Sequence, residues 1–215
     1  MMELEKLAIC GASGFSLVVA DIIRLGNKYE IIGYLDDINI GLKGTNSYGS
    51  VILGGEEGLV FLKESGIKNI IIGFGDCKGR LKKTQIIKEK GFVLAKAFHP
   101  SAIIAKDATI GNGTVVGAGA IVDPYARIGE SALINRGALI GHECVIEDGA
   151  HIGPGANLAG NVTIGRGTFV GIGSSIIERL RIGSNSIIGA GSVVNKDIPD
   201  DVLAYGVPAK VIRKL

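Results

Sequence analysis

The stretch from Ile104 to Val194 reads IAKDATIGNGTVVGAGAIVDPYARIGESALINRGALIGHECVIEDGAHIGPGANLAGNVTIGRGTFVGIGSSIIERLRIGSNSIIGAGSVV. Counting in sixes from Ile104 meets sixteen aliphatic residues without an exception. The residue two places earlier is almost always small, with Leu180 as the one bulky exception, and glycine often follows the aliphatic residue. A period of six fits neither an amphipathic helix nor a long alternating strand. It fits short strands joined by tight corners.

Three such strands close one triangular coil of about eighteen residues. In this arrangement the aliphatic residue points inward, the small residue fills the remaining interior, and glycine adopts turn conformations that other residues rarely adopt. Coils stack through backbone hydrogen bonds at a spacing of about 4.8 Å, so about five coils give a prism roughly 25 Å long. The repeat therefore predicts a parallel β-helix, and the absence of Trp suits its narrow interior.

Composition limits the function classes. The chain of 215 residues has 23 basic and 21 acidic residues, a net charge of +2, and no basic cluster, which argues against nucleic-acid binding. Its three cysteines show no ligand spacing, so we expect a reducing, cytoplasmic compartment. The first six residues are charged and lack a signal-peptide core, and no apolar run reaches about 18 residues, which predicts no membrane insertion.

The N-terminal part alternates predicted strands and helices. Strands are expected at residues 7–14 (ending in a glycine turn), 30–35, 69–73 and 92–97, and helices at 15–25, 54–65 and 78–90. Such alternation over about 97 residues predicts a small parallel sheet of Rossmann type.

Three strand ends of this sheet carry residues 11–14 (Gly-Ala-Ser-Gly), the pair Asp36 and Asp37, and residues 73–76 (Gly-Phe-Gly-Asp). Ligands of such sheets bind at the carboxyl ends of the strands. Amides of a glycine turn can hold a phosphate, and the acids can accept hydrogen bonds from a ribose or a base. The structural alternative is that the glycines allow tight packing and the acids cap a loop. A dinucleotide oxidoreductase is disfavoured because the second βαβαβ half is missing.

Two of the three histidines, His142 and His151, fall in the repeat at positions that do not point inward. The register stacks Gly160 above His142 and Pro124 below it, which leaves an open space and an amide beside the imidazole. A surface imidazole can accept a proton at neutral pH, and the adjacent Glu143 can fix its tautomer. The alternatives are two ordinary surface histidines or a metal site. A metal site is disfavoured because His142 and His151 lie half a coil apart.

Residues 135–161, behind the Gly-Ala-Ser-Gly turn and the Leu-Asp-Asp strand end, resemble the sialic-acid O-acetyltransferase (NeuD) and bacillosamine N-acetyltransferase (PglD) family. The resemblance covers essentially the whole chain, including the Gly-Val-Pro-Ala-Lys segment at 206–210. It implies an α/β Rossmann-like domain at residues 1–98 that binds the nucleotide-sugar acceptor. It further implies a left-handed parallel β-helix at 99–204, a tail at 205–215, and a homotrimer with sites shared between prisms.

The resemblance also implies an acetyl-CoA-dependent reaction without a metal. By position, His142 is the general base, Glu143 orients it, and the Gly160 amide stabilises the oxyanion. The residues that match the acetyl-CoA site are His151, Ile172 and Ala190. Those that match the nucleotide-sugar pocket are Ser13, Gly14, Asp36, Asp37 and Gly75, with Asn135 near the acceptor.

Two positions depart from the family pattern. Phe15 stands where a histidine commonly follows the glycine turn, and Gly141 stands where a charged or polar residue often precedes the catalytic histidine. The leading function is N-acetylation of a nucleotide-linked amino sugar. The alternatives are O-acetylation of sialic acid, acylation of a small hydroxy or amino acid, and a non-catalytic β-helical scaffold that binds a nucleotide.

Overall fold

The computed structural model describes residues 4–47 and 49–215, beginning with an α/β domain. The strands of this domain are Glu5–Cys10 (β1), Tyr29–Leu35 (β2), Asn46–Ser47 (β3), Ser50–Gly54 (β4), Asn69–Ile72 (β5) and Val93–Leu94 (β6). Its helices are Gly14–Gly26 (α1), Glu56–Glu64 (α2) and Cys77–Glu89 (α3), with a 3₁₀ turn at Ile40–Leu42. The sheet order is β3-β4-β2-β1-β5-β6, and only β3 and β4 pair antiparallel. The carboxyl ends of β1, β2 and β5 therefore share one edge, as predicted.

Two features of this domain differ from the sequence-based expectation. The strand β4 was not predicted, because it is short and only Ile52 and Gly54 of its residues are buried. The predicted strand at 92–97 is two strands in two different sheets. Val93–Leu94 pairs with β5, whereas Ala97–Phe98 (β7) pairs with Val115–Val116 and is the first strand of the prism.

The rest of the chain forms the predicted prism of two-residue strands. These are Ile103–Ile104 (β8), Thr109–Ile110 (β9), Val115–Val116 (β10), Ile121–Val122 (β11), Arg127–Ile128 (β12), Leu133–Ile134 (β13), Leu139–Ile140 (β14), Val145–Ile146 (β15), His151–Ile152 (β16), Asn157–Leu158 (β17), Thr163–Ile164 (β18), Phe169–Val170 (β19), Ser175–Ile176 (β20), Arg181–Ile182 (β21), Ile187–Ile188 (β22) and Val193–Val194 (β23).

Three parallel sheets form the faces of the prism. The first face contains β7, β10, β13, β16, β19 and β22, the second contains β8, β11, β14, β17, β20 and β23, and the third contains β9, β12, β15, β18 and β21. Leu133 pairs with His151 and His151 with Phe169, which is the eighteen-residue register that the repeat predicts. From Val116 to Val194 every sixth residue is at most 4% exposed, so the aliphatic positions form the core.

A C-terminal hairpin extends the first face beyond the repeat. Val202–Gly206 (β24) pairs with β22, and Ala209–Lys214 (β25) pairs antiparallel with β24. The sequence predicted only a loop and a short tail here, because the six-residue count ends at Val194. The hairpin covers backbone groups that the last coil would otherwise leave unpaired at this face.

The α/β domain packs against the first face. Val115 and Leu133, whose side chains point outward from that face, share one apolar cluster with Ile22, Ile23 and Ala97. Helix α3 adds a second contact, since the Thr84 and Ser131 hydroxyls lie 2.6 Å apart. The edge of the sheet at which the carboxyl ends of β1, β2 and β5 meet is therefore held at a defined place beside the prism.

Candidate active site

The predicted catalytic residues meet at the corner between the second and third faces. His142 follows β14, Gly160 follows β17 one coil further on, and the Asn161 amide donates to the His142 carbonyl over 2.8 Å. The imidazole lies over Gly160, where an added β-carbon would be 2.5 Å from His142 Cε1. The space above His142 that the register predicts is thus occupied by its own ring, and only glycine at position 160 permits this placement.

Glu143 fixes the orientation of that ring. Its Oε2 lies 3.1 Å from His142 Nδ1, and both side chains are more than half exposed. A carboxylate accepts, so Nδ1 donates and Nε2 is left as the unprotonated, basic nitrogen. Glu143 has a φ of 59°, a left-handed conformation at the corner that brings its side chain back beside the histidine. The pair can therefore act as a general base in contact with solvent.

The Gly160 amide is free to act on a ligand. Its carbonyl accepts from the Arg179 amide over 3.1 Å, which continues the stack of coils. Its N–H, however, has no acceptor in residues 4–47 and 49–215. An unpaired backbone N–H at this place can donate to an oxyanion that develops beside the imidazole.

Ile172 and Ala190 lie at a different corner, between the first and second faces. Both are exposed, Ile172 by 53%, and they stack in adjacent coils, where the Gly191 amide donates to the Ile172 carbonyl over 2.8 Å. An added β-carbon on Gly171 would lie 2.6 Å from the Ala190 amide nitrogen, so glycine is needed for the coils to approach here. The corner presents the exposed Ile172 side chain, the small Ala190 and backbone groups to solvent.

His151, which the resemblance assigned to acetyl-CoA, lies on the first face, and its contacts are with residues predicted for the acceptor. Its Nδ1 is 3.3 Å from the Gly75 carbonyl and its Nε2 is 3.3 Å from Asn135 Nδ2. Phe169 contacts the ring edge at 4.9 Å between centroids. Burial, and secondly the Arg80 guanidinium, lowers the pKa of His151 to about 4. The imidazole is therefore neutral at pH 7 and links the α/β domain to the prism.

The predicted acceptor pocket is a cavity of about 550 Å³ at the carboxyl edge of the sheet. Of the predicted residues it is lined by Ser13, Asp36 and Asp37. Gly14 begins α1 next to Ser13, and Ser13 makes no side-chain bond to that helix, so its hydroxyl remains available to a ligand.

Both predicted acids of this pocket are engaged within the protein. Asp36 accepts from the Ile38 and Asn39 amides at 2.8 and 3.0 Å, and from Asn39 Nδ2 at 2.9 Å. Burial raises its pKa, but these hydrogen bonds outweigh burial and leave the pKa lowered. Asp37 forms an ion pair with Lys83. Asp36 therefore caps a loop, which is the structural alternative that the sequence left open. The Asp37–Lys83 pair, in contrast, presents charged groups to the pocket.

Sequence reasoning missed Arg80, whose side chain extends from α3 to the prism. It is fully buried, and its guanidinium donates to backbone carbonyls of both domains. The available signal was the spacing of Cys77, Arg80, Thr84 and Ile87, which follows one face of a helix and places the arginine on the buried side.

Neither a metal site nor a membrane span is found in the part of the chain that the structure describes. Residues 4–47 and 49–215 contain no group of three or more His, Cys, Asp or Glu side chains that could hold a metal ion. No helix among them is long and apolar enough to cross a membrane.

Comparison with known protein families finds a match for each of the two domains. Residues 6–87 match the family model of the PglD N-terminal domain, and residues 125–160 and 161–196 match the bacterial transferase hexapeptide model of six repeats. No curated protein sequence matches the chain.

Several solved structures match over nearly the full length. A mutant of perosamine N-acetyltransferase from Caulobacter crescentus, in complex with CoA and GDP-perosamine, is 33% identical over 99% of both chains, with a TM-score of 0.90. The acetyltransferase domain of PglB from Neisseria gonorrhoeae FA1090, with acetyl coenzyme A, is 32% identical over 98% of this chain and 100% of that one, with a TM-score of 0.89. WeeI from Acinetobacter baumannii AYE is 25% identical over 97% and 100%, with a TM-score of 0.86. These matches confirm the predicted fold class, an α/β domain followed by a left-handed parallel β-helix.

Proposed function

Because the chain belongs to the PglD and NeuD family of hexapeptide-repeat acetyltransferases, we propose that it transfers the acetyl group of acetyl-CoA to the amine of a nucleotide-linked amino sugar. The observation that carries the proposal is the corner at which the His142 imidazole, oriented by Glu143, lies over the unpaired Gly160 amide. The carboxylate and the imidazole distinguish this corner, since the amides of Ala118 and Ile172 at equivalent corner positions also have no acceptor among the described residues.

The proposed reaction is a direct transfer. His142 Nε2 takes a proton from the acceptor amine as its nitrogen attacks the thioester carbonyl carbon. The Gly160 N–H donates to the resulting oxyanion, a contribution of about 3 kcal/mol in comparable sites. The intermediate collapses with cleavage of the carbon–sulfur bond, and the imidazolium returns its proton to the CoA thiolate. The products are the N-acetylated sugar and CoA, with the enzyme unchanged.

A covalent acyl-cysteine route is not needed and is chemically disfavoured. All three cysteines are buried, and burial raises the pKa of Cys10 to about 12 and raises the pKa values of Cys77 and Cys144. A thiol with a raised pKa is a poor nucleophile at neutral pH.

The other predicted residues keep their proposed roles with two refinements. Ile172 and Ala190 line the acetyl-CoA groove through their backbone, and Ser13, Gly14, Asp37 and Gly75 belong to the acceptor pocket. His151 and Asn135 contact each other at the junction beside that pocket, so we assign both to the acceptor side. Asp36 shapes the pocket loop, since its carboxylate is occupied by Ile38 and Asn39.

We further propose a homotrimer that works in the cytoplasm, where acetyl-CoA and nucleotide sugars are made. The catalytic corner, the groove corner and the acceptor pocket lie on different sides of one prism. A cyclic trimer can bring the corner of one prism to the groove of the next and so build three equivalent sites.

The test is acetyl-CoA consumption, followed as thiol release, with a panel of GDP- and UDP-linked 4-amino sugars, free sialic acid and serine. We expect turnover with a nucleotide-linked amino sugar that is lost in His142→Ala while acetyl-CoA still binds. If only sialic acid or serine were turned over, the proposed acceptor would be wrong, and that compound would take its place. Full activity of His142→Ala would refute the proposed base, and absence of acetyl-CoA binding would favour the scaffold alternative.

A further inference from the structure

Arg80 connects three backbone segments through one side chain. Its Nε donates to the Ser131 carbonyl over 2.8 Å, and its Nη2 donates to the Gly149 carbonyl over 2.7 Å. These two carbonyls belong to successive coils, just before β13 and β16. Its Nη1 donates to the Gly75 carbonyl over 2.9 Å, in the loop that follows β5. A planar guanidinium has five donors in a fixed fork, and here they point at both domains.

The guanidinium of Arg80 makes no direct ion pair with a carboxylate that the structure describes. In the described ranges 4–47 and 49–215, no Asp or Glu forms an ion pair with it, and its hydrogen-bond acceptors are carbonyl oxygens and Cys77 Sγ. Burial lowers the pKa of Arg80, and the opposing effects of Cys77 and of the nearby Asp76 carboxylate do not offset it. A buried cation without a counter-ion costs more than an apolar side chain of similar size. Packing alone therefore does not account for an arginine, whereas directed hydrogen bonds do.

The loop held by Arg80 belongs to the acceptor side. Phe74, whose carbonyl is 3.4 Å from Arg80 Nη1, lines the proposed pocket with its side chain. The Gly75 carbonyl is shared, because it also lies 3.3 Å from His151 Nδ1. A carbonyl only accepts, so the neutral imidazole carries its proton on Nδ1 and accepts at Nε2 from Asn135. Arg80 from helix α3 and His151 from the prism thus hold the same peptide.

We propose that Arg80 is a positioning residue, which locks the pocket loop at 74–76 to the prism so that a nucleotide-bound amine reaches the catalytic imidazole at a defined place. The inference rests on the proposed function. In a symmetric trimer, the orientation of each α/β domain on its own prism also fixes its orientation to the neighbouring prism. The Arg80 guanidinium therefore helps to set the distance between acceptor and base, whichever prism supplies His142. Misplacement by about 1 Å can cost about 100-fold in rate.

The test compares Arg80→Met and Arg80→Lys with wild type, using two acceptors: the active nucleotide-linked amino sugar and the same amino sugar without its nucleotide. For Arg80→Met we expect kcat/KM for the nucleotide-linked acceptor to fall about 30-fold or more. Turnover of the free sugar and the KM for acetyl-CoA should change by less than about threefold, because neither uses the pocket. Arg80→Lys should restore less than half of the loss on a logarithmic scale, since one ammonium cannot bridge three carbonyls.

Lys78→Met is the matched control, because it removes one positive charge from an exposed position of the same helix. It should behave as wild type with both acceptors. If Arg80→Met does not fold, Arg80→Lys provides the comparison, with a loss of about 10-fold for the nucleotide-linked acceptor only. Equal losses with both acceptors, or full rescue by lysine, would overturn the positioning role while the transferase stands. A wild-type protein inactive with every nucleotide sugar would overturn the proposed function, and the inference with it.

Discussion

At the scale of single residues, Gly160 determines whether the catalytic histidine can take its place. We expect Gly160→Ala to lower kcat about 100-fold, because its methyl group overlaps the His142 ring and forces it away from the amide. The KM for acetyl-CoA should change little, since Ile172 and Ala190 are at another corner. The measurement is steady-state thiol release at varied acetyl-CoA.

The control for that substitution is Gly26→Ala, at the end of α1. A β-carbon there has its nearest neighbour 4.0 Å away, so kcat should stay within about twofold of wild type. If Gly160→Ala retained wild-type kcat, the imidazole would not work from its position above the glycine.

His151 makes stability depend on pH. Its pKa is about 4 in the folded protein, against an ordinary value near 6.5 in the unfolded chain. The unfolded state therefore binds the proton more readily between these values, and stability is complete above about pH 6.5 and falls as pH falls toward 4. By linkage, protonation of His151 should lower the free energy of unfolding by about 2 to 3 kcal/mol when the pH falls from 7 to 4.5.

The comparison is between wild type and His151→Gln, which does not titrate in this range. Thermal unfolding midpoints should converge as pH is lowered from 7 to 4.5, or cross, because only the wild type loses the His151 contribution. Parallel pH profiles of the two proteins would show that His151 is protonated in the fold or is not buried in solution.

At the scale of structural elements, the two-residue strands stabilise the prism by filling its interior. Ile152 on β16 is fully buried, so Ile152→Ala should lower the unfolding free energy by about 2 to 5 kcal/mol. Ile38→Ala makes the same chemical change at a residue that is 88% exposed, and it should cost less than about 0.5 kcal/mol. Chemical denaturation followed by circular dichroism distinguishes the two. A similar effect of both variants would contradict the inward assignment of the sixth residue.

The repeat made the prism predictable because each step repeats one local rule, an aliphatic residue inward and a small one two places before. Even the stacking of Gly160 on His142 follows from counting eighteen residues. Interactions between domains do not repeat, so no register for them can be counted from the sequence. Arg80 appeared only as one charge in a basic helix, and His151 appeared exposed because the count cannot show that a second domain covers the first face.

The C-terminal hairpin and β4 were missed for a different reason. The hairpin ends its sheet and β4 lies next to the edge strand β3, and so few residues of β4 and β25 are buried that neither strand shows a clear hydrophobic pattern. In β25 the residues Val211 and Ile212 are about half exposed, and the two strands meet around Val207-Pro208. Edge strands depend on the neighbour that they pair with, and that neighbour is known only from the fold.

At the scale of the whole molecule, the proposed trimer predicts that a second prism completes the site at the catalytic corner. The second face next to His142 is a candidate for that contact, because it presents Ile103, Ile121 and Leu139 in successive coils. Ile103 is 62% exposed in the isolated chain. An outward apolar row beside a site that one prism cannot complete favours closed cyclic assembly.

We therefore expect light scattering at micromolar concentration to give three times the 22.3 kDa mass of one chain. Leu139→Arg places a charge at the end of the apolar row nearest His142 without touching the interior, so it should yield folded monomers with at least about a 100-fold lower kcat. Thr109→Arg adds the same charge to the exposed third face and should leave both mass and activity unchanged. An active monomer, from wild type or from Leu139→Arg, would contradict the shared site, because every group that transfer needs would then have to come from one prism.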